Sequence, residues 1–333
     1  MKNLYLFTVI LLFFIQGYSQ SPKKKLSDFN LNEKVEKIST KRYYYQKSAN
    51  GFIHSTSDQK EFSEEGNLLN YKSFYAILSS NYETIHSYRG KQLVSTTNLT
   101  FDKGSNTPNS EILTTYTIKE DRITSSFMDG VNPMRYNFEY DNNGRIIKEV
   151  KILLGGVKGL EKNTSYKNNN NYTVSTFYYK EGVKNDKPKL EVYEDGNLAS
   201  VTSYYAGETN VTSYSYNDKN DRISYYYNGK LKTEYSYEYD KNNNWIRKIE
   251  KSFNSYSKKY TYNYEFRKIT YKNSTTGNDG FDVLVVKKHE SRDSYELKPY
   301  KSYSSEYDAI LKNPKEVEEI HVLKTEGSKF KVK

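Results

Sequence analysis

The chain has 333 residues, no cysteine, a formal charge of +10, 36 tyrosines and a single tryptophan. That composition excludes disulfides and soft thiolate metal sites. It leaves few aliphatic side chains for a broad globular interior, and it favours strands with half-buried faces rich in Tyr and Thr.

The chain opens with Lys2, then an apolar run from Leu4 to Ile15 broken only by Thr8, then Gly-Tyr-Ser-Gln. A short basic start, an apolar stretch of about 7–15 residues and small residues at a cut site describe a secretory signal over residues 1–19. The run is short for a membrane span, which needs about 20 apolar residues. An uncleaved anchor is the alternative, and no later segment is apolar enough to cross a bilayer. Residues 20–34 form an irregular lead-in whose Lys23–Lys25 is the one concentrated basic patch. The remaining charge is dispersed, with Lys beside Glu or Asp. This pattern suits solubility and protected sheet edges and excludes a nucleic-acid surface.

From Val35 to Lys272 the sequence repeats. Apolar residues recur just after polar turns at Leu68, Leu93, Ile123, Ile146, Val174, Leu198, Ile223, Ile246 and Ile269, about every 23–30 residues, room for two strands and two turns. Tyr262, Tyr264 and Phe266 alternate with Thr261, Asn263 and Glu265, and Tyr235, Tyr237 and Tyr239 alternate in the same way. This is the period-two signature of a half-buried strand. Between strands stand Asp-Asn-Asn-Gly, Asp-Lys-Asn-Asn-Asn, Glu-Asp-Gly-Asn and Asn-Gly, whose residues tolerate positive φ or cap their own backbone. In Phe138–Ile147 the aromatics end one strand, Asp141 starts the turn, Gly144 takes its left-handed position, Arg145 is a wet flank and Ile146 returns to the buried face.

Tyr140, Asp141, Gly144, Arg145 and Ile146 resemble the tyrosine-aspartate (YD, or RHS-type) repeat position by position. Tyr239 and Asp240 match its front, and Arg222 and Ile223 its end. The run from Tyr225 to Tyr235 is similar to the Gly-Lys-Leu hairpins of MORN-like proteins. The stretch from Asn32 to Tyr45 followed by Glu61–Leu69 resembles the start of small exported YD-like proteins of Bacteroidetes-type bacteria. The resemblance implies an all-β, elongated array of stacked antiparallel hairpins, an open twisted sheet or solenoid, and an association with the cell surface or carbohydrate. Two loop-like inserts, 101–111 and 178–189, interrupt it. Residues 273–333 form a C-terminal cap. There Asn313 and Pro314 could start a helix, or residues 318–327 a closing strand, and the strand is favoured.

No chemistry stands out. His54, His86, His289 and His321 lack metal-ligand spacing, no nucleophile elbow or phosphate loop is present, and the adjacent carboxylates Glu64–Glu65 and Glu318–Glu319 point to opposite faces. Asp141 begins a fragment of a calcium loop without its distal ligands. No catalytic residue, metal or cofactor is expected. The candidate binding surface is aromatic: Tyr235, Tyr237, Tyr239, Trp245, Tyr262 and Tyr264. Trp245 is either core or platform, with core favoured, and most tyrosines are expected to pair across strands as scaffold. The expected function is a non-enzymatic, exported module of the envelope or cell surface, in the periplasm, on the outer surface or secreted. Its partner would be a surface polysaccharide or another envelope protein. An immunity-type partner protein is the alternative, and a carbohydrate-active enzyme is less favoured.

Overall fold

A computed structural model describes residues 25–46, 51–75, 80–102, 105–254, 259–287, 295–298 and 320–323. The expected leader, the Lys23–Lys25 patch except Lys25, and the alternative helix start at Asn313 lie outside these residues. The strands in chain order are β1 (Val35–Gln46), β2 (Gly51–Phe62), β3 (Leu68–Tyr75), β4 (Ser80–Arg89), β5 (Gln92–Asp102), β6 (Ser110–Lys119), β7 (Arg122–Met128) and β8 (Met134–Tyr140). They continue as β9 (Ile146–Ile152), β10 (Lys158–Tyr166), β11 (Tyr172–Lys180), β12 (Val183–Lys184), β13 (Lys189–Glu194), β14 (Asn197–Tyr205) and β15 (Glu208–Tyr216). The last are β16 (Arg222–Tyr227), β17 (Lys230–Tyr239), β18 (Trp245–Asn254), β19 (Lys259–Tyr271), β20 (Ser274–Gly277), β21 (Tyr295–Lys298) and β22 (Ile320–Leu323). One short helix, α1, spans Val283–Lys287.

From β1 to β11 and from β13 to β19 each strand pairs antiparallel with the next in the ring, and the chain then closes on itself. β1 pairs with β19 from Val35 opposite Tyr271 to Tyr44 opposite Asn263. With β12 outside the ring, β11 pairing directly with β13, eighteen strands form a closed barrel. The all-β expectation is met. The open sheet or solenoid, and with it the open hairpin array of the YD/RHS type, is corrected. Closure pairs the two edges that an open array would leave with unsatisfied N–H and C=O groups. In the tail, β22 adds to β2 through Gly51–Ile53, with β21 beside it.

The hairpins expose two rims. At one, Asp141 Oδ1 accepts the N–H groups of Asn143 and Arg145 at 3.0 and 2.9 Å, and Gly144 takes φ 78°. Asn217 and Asp240 build the same turn, with Asn220 and Asn243 at φ 60° in the glycine's place. Ser63 does so with its hydroxyl, bonding Glu65 and Asn67 N–H. Arg145 is no wet flank. It is ion-paired to Asp141 at 2.6 Å and lies 4.2 Å from the Tyr166 ring centre. The lead-in ties this rim together. The Leu26 N–H donates to Gly66 O, Asn30 Nδ2 to Asp221 Oδ1 at 3.0 Å and Asn32 N–H to Asn244 Oδ1 at 2.7 Å.

Side chains alternate between two faces. Along β8, Met134, Tyr136, Phe138 and Tyr140 are half-buried while Arg135, Asn137 and Glu139 are exposed. On a closed ring the concave face crowds its side chains together, so the covered face lines the interior. Leu26, Phe29 and Leu31 of the lead-in pack on that face against Val35, Ile38, Phe62, Leu68, Ile269 and Tyr271. The repeat spacing has a structural cause here. Tyr88 donates its hydroxyl to Leu68 O, Tyr140 to Ile123 O, Tyr166 to Ile146 O, Tyr216 to Leu198 O and Tyr237 to Arg222 O, at 2.7–3.1 Å. In these five hairpins a tyrosine at or near the end of the second strand reaches back to the start of the first.

Candidate functional site

The expected aromatic surface divides between the two faces. Tyr235, Tyr237 and Tyr239 project inward from β17, and Trp245 stands opposite Tyr239. Tyr237 is 5.9 Å from Tyr239 and 6.2 Å from Trp245 between ring centres. The polar tips are occupied. Tyr239 donates to Asp221 Oδ2 at 2.8 Å and accepts from Asn217 Nδ2 at 2.7 Å. Burial raises the pKa of Tyr237 well above that of an ordinary phenol. Trp245 is 8 % exposed, with the Arg267 guanidinium carbon 3.2 Å from its ring centre. Burial lowers Arg267 to about 10, and its Nε and NH1 have no hydrogen-bond partner among the described residues.

Tyr262 and Tyr264 lie on the outer face. Tyr264 is 0 % exposed, in a cluster of Tyr43, Phe52 and Phe266 covered by Phe281 of the preceding loop and Val285 and Val286 of α1. The six aromatics therefore form no common exposed platform. Four line the interior, and Tyr264 belongs to a core that seals the β19–β1 seam.

Carboxylates do converge inside. Glu250 and Glu265 both reach Arg42, at 2.6 and 3.8 Å, and Glu265 also pairs with Lys248 at 3.0 Å. Although burial opposes it, Lys248 and Arg42 lower the Glu265 pKa. On the outer face Glu161 falls to about 2, driven first by the Asn163 hydrogen bond and then by Lys184. The displaced carboxyls, Glu65, Asp141, Glu161 and Glu265, all move down. A general acid needs the opposite shift. Among the described residues no group of three His, Cys, Asp or Glu could hold a metal ion. His54 is buried against Tyr43, and His86 Nδ1 lies 3.0 Å from Thr96 Oγ1.

A different site emerges on the outer wall, a cleft of about 480 Å³ across β1 to β5. Two cross-strand rows make its floor. Ser57, Phe74, Asn81 and Phe101 stand opposite one another along the first, and Gln59, Lys72 and Glu83 along the second. Lys72 and Glu83 pair at 3.2 Å, and Asn70 Nδ2 donates to Glu83 at 2.7 Å. Asn81 Oδ1 has no hydrogen-bond partner among the described residues. Ser105 and Asn106 lie over one side, in the insert anticipated at 101–111, whose Asn109 is braced to Asp102 at 2.8 Å. Sequence reasoning missed Phe74, Asn81 and Phe101. Each sits in ordinary alternation, and only the register of three strands puts them in one row.

No protein-family model and no curated protein matches the chain. Among solved structures, a porin-like protein from Bacteroides uniformis shares 10 % identity, covering 72 % of this chain and 99 % of that one, with a TM-score of 0.40. A protein of unknown function from Bacteroides fragilis shares 14 %, covering 51 % and 94 %, with a TM-score of 0.17. Neither likeness is close enough to assign a fold or an activity, and the barrel stands on its own strand pairings. No helix among the described residues is long and apolar enough to cross a membrane.

Proposed function

We propose that this is an exported, non-enzymatic barrel of the cell envelope that binds a segment of neutral polysaccharide along the outer cleft. The observation that carries the reading is the row Phe74–Asn81–Phe101. Two rings flank an amide whose carbonyl has no hydrogen-bond partner among the described residues, beside an amide and an ion pair in the next row. Sugar rings present apolar faces to aromatics and hydroxyl donors to amide oxygens. An unmatched buried acceptor costs about 1–3 kcal/mol, so a hydroxyl that reached Asn81 Oδ1 would recover part of that. The volume falls in the range of about 300–1,000 Å³ usual for small-ligand sites. Carboxyls held ionised by lysine, arginine and amide partners support binding over hydrolysis. The test is a glycan array followed by calorimetry on the wild type, Phe101→Ala and Asn81→Ala. Binding of a neutral glycan weakened about tenfold or more by each variant, equivalent to about 1.4 kcal/mol or more, is expected. Binding unchanged in both variants, or no glycan bound, overturns the reading.

A further inference from the structure

The two rims of the barrel differ in chemistry. The rim bridged by the lead-in is made of turns such as Asp141–Arg145, Asn217–Asp221 and Asp240–Asn244, whose tips hold no large apolar side chain. At the opposite rim Val131 is 96 % exposed, Leu154 70 %, Val183 72 %, Tyr205 80 % and Tyr260 54 %. They stand in or beside five different connections: β7–β8, β9–β10, β11–β12, β14–β15 and β18–β19. The β16–β17 hairpin adds Leu231, 42 % exposed. These connections follow one another around more than half of the ring, so the exposed side chains stand on separate tips of one rim.

Charge at this rim is net positive, with Lys158 and Lys184 already paired to Glu161. Residues 129–133, 153–158, 180–187, 205–208, 227–232 and 259–260 carry seven lysines and four carboxyls. Lys187 lies 5.2 Å from the Tyr204 ring centre, keeping a basic group beside an aromatic one. A circle of aliphatic and tyrosine tips among lysines fits a planar, apolar and anionic surface. Aromatics favour the headgroup level of a bilayer, aliphatic tips enter the acyl boundary, and lysines near the surface are drawn to anionic headgroups. We propose that this rim seats the barrel on the surface of a lipid bilayer containing anionic headgroups, with the barrel wall standing in water. The proposal is independent of the glycan cleft, which lies on the wall.

The test is flotation of the protein from residue 20 onward with vesicles of neutral phosphatidylcholine alone or mixed with about one-third phosphatidylglycerol, at low and high salt. The comparison variant is Leu154→Asp with Val183→Asp. Both positions are largely exposed, and an unchanged circular dichroism spectrum checks the fold. Glu64→Gln, at the opposite rim, is the control. Association with the mixed vesicles is expected, weakened about tenfold or more in the double variant and by high salt, and unchanged in the control. No vesicle association, or association indifferent to the double variant, overturns the proposal. So does rim-dependent self-association in sedimentation without vesicle binding, which would assign the rim to a second copy of the chain.

Discussion

Closure of the ring is the strongest structural statement about this chain, and a single engineered bond tests it. Ser39 on β1 stands directly opposite Lys268 on β19. Opposed residues of an antiparallel pair have Cα atoms about 4.5–5.5 Å apart, inside the range of about 4.4–6.8 Å that a disulfide requires. The chain has no other cysteine, so the double variant Ser39→Cys, Lys268→Cys can form one intramolecular bond only. In an open sheet these residues lie on opposite edges. Seventeen strand spacings of about 4.8 Å would then hold them roughly 80 Å apart. A cross-link across a loop of roughly 230 residues removes about 5 kcal/mol of unfolded-state entropy. The variant loses the Ser39–Asp279 hydrogen bond, worth about 1 kcal/mol, and Lys268 is exposed. A net gain of about 4 kcal/mol is expected. Non-reducing electrophoresis and thiol counting report the bond, and urea unfolding with and without reductant reports the gain. Free thiols after oxidation, or only intermolecular dimers, would refute closure.

Two further outcomes follow from the interior. Burial pushes Tyr88, Tyr136 and Tyr172 up to about 12. A pKa raised in the folded state means that their contribution to stability is complete below pH ~10 and is lost as the pH rises towards ~12; spectrophotometric titration should show these phenols ionising late in the native protein and near 10 in urea. Asp240 accepts the N–H groups of Asn242 and Asn244 and the Tyr271 hydroxyl, so Asp240→Ala should cost about 2 kcal/mol in urea unfolding, and a loss below about 0.5 kcal/mol would deny the turn its role.

Local structure was legible because its signals are local. Alternation in Tyr235–Tyr239 marked a strand, and Asp141 with Gly144 marked a turn whose hydrogen bonds and φ the structure reproduces. Closure was not legible. The β1–β19 pairing joins residues more than two hundred positions apart, and a strand at a seam has the same alternation as a strand at an edge. Alternation also does not say which face is covered. Tyr264 and Tyr237 carry the same signal, yet one lies under α1 on the outer wall and the other faces the interior. The rim asymmetry was present in the sequence. Asn- and Asp-rich turns alternate along the chain with connections bearing Val131, Leu154 and Val183, but their separation onto two rims requires the up-and-down order of the strands.

A ring of eighteen strands has the size of a membrane channel, and its outer face argues against that role. Membrane barrels present an apolar band about 25 Å tall, and a lysine or arginine at its midplane costs about 2–4 kcal/mol. Here the outward rows carry the pairs Lys72–Glu83, Lys148–Glu139 and Lys251–Glu234 within the strands themselves, with Arg247 bridging Glu238 and Asp282. Lipid would have to desolvate each of them, whereas water screens them at little cost. The interior poses the complementary problem. A ring this wide encloses more volume than side chains fill, so its inner face stays partly wet. A tyrosine suits that position, because its ring covers the strand beside it while its hydroxyl bonds the neighbouring strand's carbonyl or the lumen water. The abundance of tyrosine, the scarcity of aliphatic residues and the charge pairs on the wall then fit one architecture, a wide closed barrel with ion pairs along its outward rows and apolar clusters at the seam and beneath the lead-in.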